Sequence, residues 1–224
     1  MNTSHPPVSQ AAAKPQELAR DVAQNPRLLE EVMRGLDAKT ARVKHGCAKA
    51  LRALSETRPG LLYPKFDFFV RLLDHPNKIY QWEAARVLAQ LARVDEEDKF
   101  AAIFDKYFAP IRGPVMITAA TLIQGGARIA AAKPQLADRI AAEVIKVERA
   151  RYQTPACRNV AIGHAIAALD DLFARLRNPA PALRFVRKQA RNSRPATRKK
   201  AEKFLKGVGK RAKGPTAQRR GPGG

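Results

Sequence analysis

From about residue 25 to residue 208 the apolar positions return every three or four residues, as in Ala48, Leu51, Leu54 and again in Ala85, Leu88, Leu91. That spacing turns one face of a helix toward a core. No alternation of period two persists, so strands are not expected. Proline supplies the punctuation, because its missing N–H and fixed φ suit the first turn of a helix and little else within one. Helix starts are therefore expected at Pro26, Pro59, Pro114, Pro134, Pro155 and Pro195. Asn25, Thr154 and Ser193 stand at or beside N-cap positions, and the acidic run Asp95, Glu96, Glu97, Asp98 sits where the macrodipole of a starting helix favours it.

The helical segments come in pairs: a first helix, a break containing Asp, Asn or Pro, then an Ala/Leu-rich second helix. Shifting the chain by 37 residues places Leu36-Asp37 on Leu73-Asp74, and Ala48, Leu51, Leu54 on Ala85, Leu88, Leu91. Pair starts fall near residues 25, 58, 95, 133 and 178, close to the period of helical-hairpin repeats. A single hairpin is too thin to bury its own apolar face, so neighbours must stack. On "LDAKTARVKHGCAKALRAL" and "LDHPNKIYQWEAARVLAQLA" the chain resembles the HEAT and armadillo-like family. The resemblance covers roughly residues 25 to 208 and implies an all-α α-solenoid, a superhelix of about five HEAT-like hairpins whose second helices line a concave binding face. The expected organisation is a flexible N-terminal arm over residues 1–24, a repeat domain over 25–206, and a disordered basic tail over 207–224. The third pair departs from the family pattern at Gly125-Gly126, and the fifth replaces apolar positions with Lys.

Composition agrees with closely packed helices. Hydrophobic residues make up 45% of the chain, yet only nine Phe, four Tyr and one Trp supply large rings, leaving Ala, Leu, Ile and Val to fill the core. Charge changes the picture more. The formal net charge of +22 attracts polyanions, and it is unevenly placed: residues 1–183 hold 27 Lys or Arg against 19 Asp or Glu, residues 184–224 hold 15 against one. Cys47 and Cys157 belong to no CxxC pair and fit ordinary thiols in a reducing compartment. No signal-peptide pattern opens the chain and no run of about 18 apolar residues occurs, so a soluble, cytoplasmic protein is expected.

The groups that carry catalysis do not converge. His45 and Cys47 fall on the second helix of the first pair, Cys157 and His164 on that of the fourth, roughly 25 to 30 Å away if each repeat adds one helix spacing. Cys157 and His164 alone supply two ligands, too few for a metal site, so neither a metal nor another cofactor is expected. Asp170 and Asp171 are sequence neighbours and point about 100° apart on a helix, which prevents them from sharing a proton. Gly125-Gly126 has no Gly-Lys-Ser after it and fits a helix bend, a helix end or a close approach. Trp82 fits packing between repeats better than base stacking. One enzyme group with HEAT-like folds, the alkylpurine DNA glycosylases, needs aromatic residues lining a cleft beside a carboxylate, and the sequence shows no such cluster. It stands as a minor alternative to a non-enzymatic protein.

At the C-terminal end Ala201, Phe204, Leu205 and Val208 share one helix face, and Lys199, Lys203, Lys206 and Lys210 share the opposite one. Like charges at these spacings repel, and an anionic partner relieves them. A terminal repeat also needs a polar outer face, but a mixed Lys/Glu face supplies that without repulsion. The expected phosphate contacts are Arg194, Arg198, Lys199, Lys200, Lys203, Lys206, Lys210, Arg211 and Lys213, supported by a ladder of Arg42, Lys78, Arg112, Arg158 and Arg198 at the starts of second helices. Asp37 and Asp74 are alternative partners that would make the ladder structural. The partner expected is nucleic acid, DNA or RNA held nonspecifically, or an acidic protein surface. The alternative is a protein-interaction scaffold gripping a partner in the concave groove.

Overall fold

The computed structural model describes residues 7–213, and among them all regular elements are helical. The chain divides into two compact units, residues 1–109 and 110–224.

The first unit runs α1 (Val8–Ala11), α2 (Pro15–Gln24), α3 (Leu29–Arg34), α4 (Ala41–Thr57), α5 (Pro59–Leu62), α6 (Phe66–Leu72), α7 (Lys78–Leu91) and α8 (Lys99–Phe108). The 37-residue repeat is visible in it: α3 with α4, then α5 and α6 with α7, and both apolar triplets of the second helices are buried. Tyrosine hydroxyls tie successive layers, Tyr80 donating to the Leu36 carbonyl at 2.6 Å and Tyr107 to the Ala85 carbonyl at 3.0 Å. Phe66, Phe69, Phe100, Phe104 and Phe108 are fully buried, each contributing about 1.5–3 kcal/mol by leaving water. The acidic run serves as a cap. Asp95 accepts the N–H of Lys99 at 2.8 Å and of Phe100 at 3.0 Å, satisfying two of the orphan donors that open α8.

The second unit runs α9 (Met116–Ala132), α10 (Ala137–Ile145), α11 (Pro155–Leu172), α12 (Ala180–Gln189) and α13 (Pro195–Lys213). Here α10 pairs with α11 and α12 with α13, and Thr154 caps α11 by accepting the Cys157 N–H at 3.1 Å. Ile140, Val144, Ile166, Leu169 and Phe185 form the core, with Phe204 of α13 packed edge-on against Phe173 at 5.2 Å. The expected third pair is thus divided between units, with α8 closing the first and α9 opening the second.

Several expectations are corrected. The arm expected over residues 1–24 is helical and packed from Val8 onward: Val8, Ala12, Leu18, Ala19 and Val22 are buried, and α2 lies along α4. Ala12 packs on Gly46, where an added Cβ would stand 2.0 Å from the Ala12 carbonyl oxygen, so only glycine admits this approach. At the other end α13 continues past residue 207 to Lys213, while residues 1–6 and 214–224 lie outside the described residues. Pro114 does not open a helix; it follows a cis peptide bond from Gly113, and α9 begins at Met116. Gly125 and Gly126 are buried in mid-α9 and do not end it.

Candidate polyanion-binding surface

The two units differ sharply in charge. Residues 1–109 hold 17 Lys or Arg against 14 Asp or Glu, whereas residues 110–224 hold 25 against six. In the second unit the carboxylates are largely engaged. Glu148 accepts from Gln189 Nε2 at 3.1 Å and pairs with Lys188 at 2.9 Å, Glu143 pairs with Lys146, and Asp138 accepts the N–H groups of Arg177 and Asn178.

A polar lock seats α13 against α11 and α12. The amide of Asn192 donates to Asn159 Oδ1 at 3.2 Å and to Gln189 Oε1 at 2.8 Å, and its oxygen accepts the Arg194 N–H at 2.9 Å where α13 starts. Asn159 in turn donates to Ser193 Oγ at 3.0 Å, and Thr197, fully buried, donates its hydroxyl to the Asn159 carbonyl at 2.8 Å. Gly163 leaves room for this seat, since a Cβ there would press on Thr197 Oγ1 at 3.1 Å. Ala201 and Phe204 complete the buried face of α13. Ser193 therefore works inside the lock and Asn192 does the capping, an arrangement that residue spacing gives no sign of.

With α13 so oriented, its cations sort into two groups. Arg194, Arg198 and Lys200 are turned onto the protein itself: Arg194 Nη1 reaches Thr197 Oγ1 at 3.4 Å, Arg198 Nη1 the Asn192 carbonyl at 3.0 Å, and Lys200 Nζ the Gly163 carbonyl at 3.2 Å. Lys199, Lys203, Lys206 and Lys210 are exposed and form no salt bridge among the described residues; nor does Glu202, the acidic residue of that helix. At 1.5 Å rise per residue the row from Lys199 to Lys210 is about 16 Å long. Arg211 and Lys213 fall in the last turns of α13.

The ladder is less regular. Arg42 is exposed in the first turn of α4 and Lys78, opening α7, donates to Gln81 Oε1 at 3.1 Å. Arg158 and Arg198 each occupy the fourth position of their helix, α11 and α13. Arg112 is not on a second helix at all; it ends a 3₁₀ turn before the loop into α9. Asp74 pairs with Lys106 at 2.6 Å rather than with a ladder residue.

Each unit holds an open cleft. In the first, about 410 Å³, Gln16, Arg20 and Gln24 of α2 face Ala53, Thr57 and Arg58 at the end of α4. In the second, about 480 Å³, Gln124 and Arg128 of α9 face His164 and Asp171 of α11, over a floor of alanines, with Arg175 at one end. Neither cleft is lined by Phe, Tyr or Trp. Cys47 is buried and its thiol is pushed up to about 11 by burial and then by Glu31. Among the described residues no group of three or more His, Cys, Asp or Glu is placed to hold a metal ion, and no helix is long and apolar enough to cross a membrane. Trp82 is half-buried on α7.

Stacked helical pairs within each unit define a helical repeat fold. No family model and no curated protein matches the chain. Among solved structures it is similar to a designed armadillo repeat protein in complex with a (KR)4 peptide, with a TM-score of 0.60, 16% identity and coverage of 89% of each chain. It is also similar to an engineered protein from the Northeast Structural Genomics Consortium, with a TM-score of 0.54, 15% identity, and coverage of 91% of this chain and 87% of that one. The fold is accordingly an armadillo/HEAT-like helical repeat.

Proposed function

We propose that this protein is a non-enzymatic binding module that holds nucleic acid through nonspecific phosphate contacts, with α13 as the principal contact. The observation that carries the reading is the row of exposed lysines without carboxylate partners, in a unit with 25 cations against six anions. Phosphates relieve the mutual repulsion of such a row and release counterions as they do so. Arg194, Arg198 and Lys200 keep supporting roles as cations fixed to the helix start, and no aromatic side chain accompanies the row to stack on bases. Base excision finds no support, because Asp171 lies in a cleft lined by no Phe, Tyr or Trp.

The test is fluorescence anisotropy with labelled duplex DNA and single-stranded RNA of mixed sequence, titrated at several salt concentrations. Affinity is expected to fall steeply with salt and to vary little with sequence. Binding that resists salt and prefers one sequence strongly refutes the reading.

A second reading, a scaffold for a peptide or protein partner, draws on the cleft between α2 and α4 and on the similarity to a designed repeat protein complexed with a peptide. It predicts a protein partner retained when the α13 lysines are neutralised.

A further inference from the structure

The cleft between α9 and α11 takes no part in the α13 contact, yet it carries cations of its own. Arg128 is exposed on the α9 wall and has no hydrogen-bond or salt-bridge partner among the described residues. His164 stands half-buried on the α11 wall. On the far side of His164, α13 brings Lys200, held on the Gly163 carbonyl immediately before it, and Arg194. The cleft alanines, Ala127, Ala131, Ala167 and Ala168, keep the floor low, so the polar side chains stand up as walls. One carboxylate is present: Asp171, two turns beyond His164, whose backbone oxygen accepts from Arg175 Nη1 at 3.0 Å. The cleft therefore has a cationic half around Arg128 and His164 and a mixed half around Asp171 and Arg175.

We propose that this cationic half is a second phosphate-binding site, seating a phosphodiester group of the same chain that α13 holds. It rests on the polyanion reading above and extends it from one helix to a band crossing α9, α11 and α13. Neighbouring helices lie about 8–10 Å apart, so a nucleic-acid strand leaving the α13 row reaches the cleft within a few phosphates. Arg128 offers a planar fork suited to a phosphate, and His164 offers a second donor once it is protonated.

Protonation gives the site a signature that the lysine row lacks. Burial, and then the positive charges of Lys200 and Arg194, hold the His164 ring below the ordinary histidine range, leaving it neutral near pH 7. A phosphate between Arg128 and His164 offsets that repulsion and favours the charged ring, so binding takes up a proton. From α10 and the turn after it come the carboxylates Asp138, Glu143 and Glu148, held in the contacts described above, and none of them lines the cleft. Within α11, Asp171 is the remaining carboxylate on the cleft wall. The sign follows: affinity strengthens as pH falls from about 7.5 toward 5.5, by tenfold for each unit by which the bound ring's pKa exceeds the free ring's.

The experiment is anisotropy on the full chain with a labelled mixed-sequence DNA duplex, at fixed ionic strength and at pH 7.5, 6.5 and 5.5, for the wild type, His164→Gln, Arg128→Gln and the control His45→Gln. The wild type and His45→Gln are expected to bind about three- to tenfold tighter at pH 5.5 than at pH 7.5. His164→Gln loses that pH dependence, and Arg128→Gln lowers the slope of log K against log salt by about one. A His164→Gln protein that keeps the full pH dependence, or an Arg128→Gln protein with the wild-type salt slope, overturns the second site and leaves the α13 contact standing. Failure of the wild type to bind DNA even at low salt overturns both.

Discussion

Neutralising the α13 row should weaken nucleic-acid binding and strengthen the fold at the same time. The change is Lys199→Gln, Lys203→Gln, Lys206→Gln and Lys210→Gln together, at positions exposed to solvent and without salt-bridge partners. Glutamine matches lysine closely in helix propensity, so the substitution removes charge and leaves the helix otherwise intact. If all four lysines contact duplex phosphates, the salt slope becomes shallower by about 3.6, from about 0.9 per phosphate. Between 50 and 200 mM salt the wild type then loses about 150-fold more affinity than the variant. By spacing, the same change removes five like-charge pairs at i,i+3 and i,i+4, counting those with Lys200 and Lys213, and two opposite-charge pairs with Glu202; at about 0.2–0.5 kcal/mol each, the variant gains about 1 kcal/mol net. Anisotropy across a salt series measures the first effect and urea unfolding the second. An unchanged salt slope refutes the phosphate role of the row, and a loss of stability shows that the lysines hold the helix through contacts the structure does not contain.

Three further outcomes test the architecture beneath that surface. Asn192→Ala removes two donated hydrogen bonds and the cap on Arg194, and should cost about 1–3 kcal/mol, read as faster amide exchange along α13; unchanged protection would show that Phe204 and Ala201 suffice to seat the helix. Gly46→Ala drives a Cβ into the Ala12 carbonyl and should release α1 and α2, so limited proteolysis cuts within residues 8–24 while α4 stays protected; an unaltered digest refutes the close approach. At pH 8 a thiol reagent should modify half-buried Cys157 and spare Cys47, whose thiolate fraction is about one in a thousand with its pKa near 11, until denaturant is added; equal native rates would contradict the burial of Cys47.

How far the sequence carried depends on the kind of signal. Helix starts at Pro59, Pro155 and Pro195, and the 3₁₀ turns at Pro26 and Pro134 that lead into α3 and α10, were legible because proline's restriction is local and needs no partner. The stripe of α13 was legible for a similar reason: a 100° rotation per residue fixes which side chains share a face. The packed α2 was not, because its apolar set of Leu18, Ala19 and Val22 is small and becomes a core only once α2 lies along α4. The uses of Arg198 and Lys200 were equally hidden, since their acceptors are backbone carbonyls, which every residue carries and no motif advertises. Arg128 and His164 lie 36 positions apart, and only the packing of α9 against α11 makes them opposite walls of one cleft.

The sequence by itself determined the helices, their pairing and the concentration of positive charge at one end, because these follow from periodicity and composition. Tertiary structure alone decided which cations of α13 turn onto the fold and which stay exposed without a salt-bridge partner among the described residues. That division depends on where α13 is seated, and the seat is made by Asn159, Gly163 and Asn192, residues whose roles exist only once three helices meet.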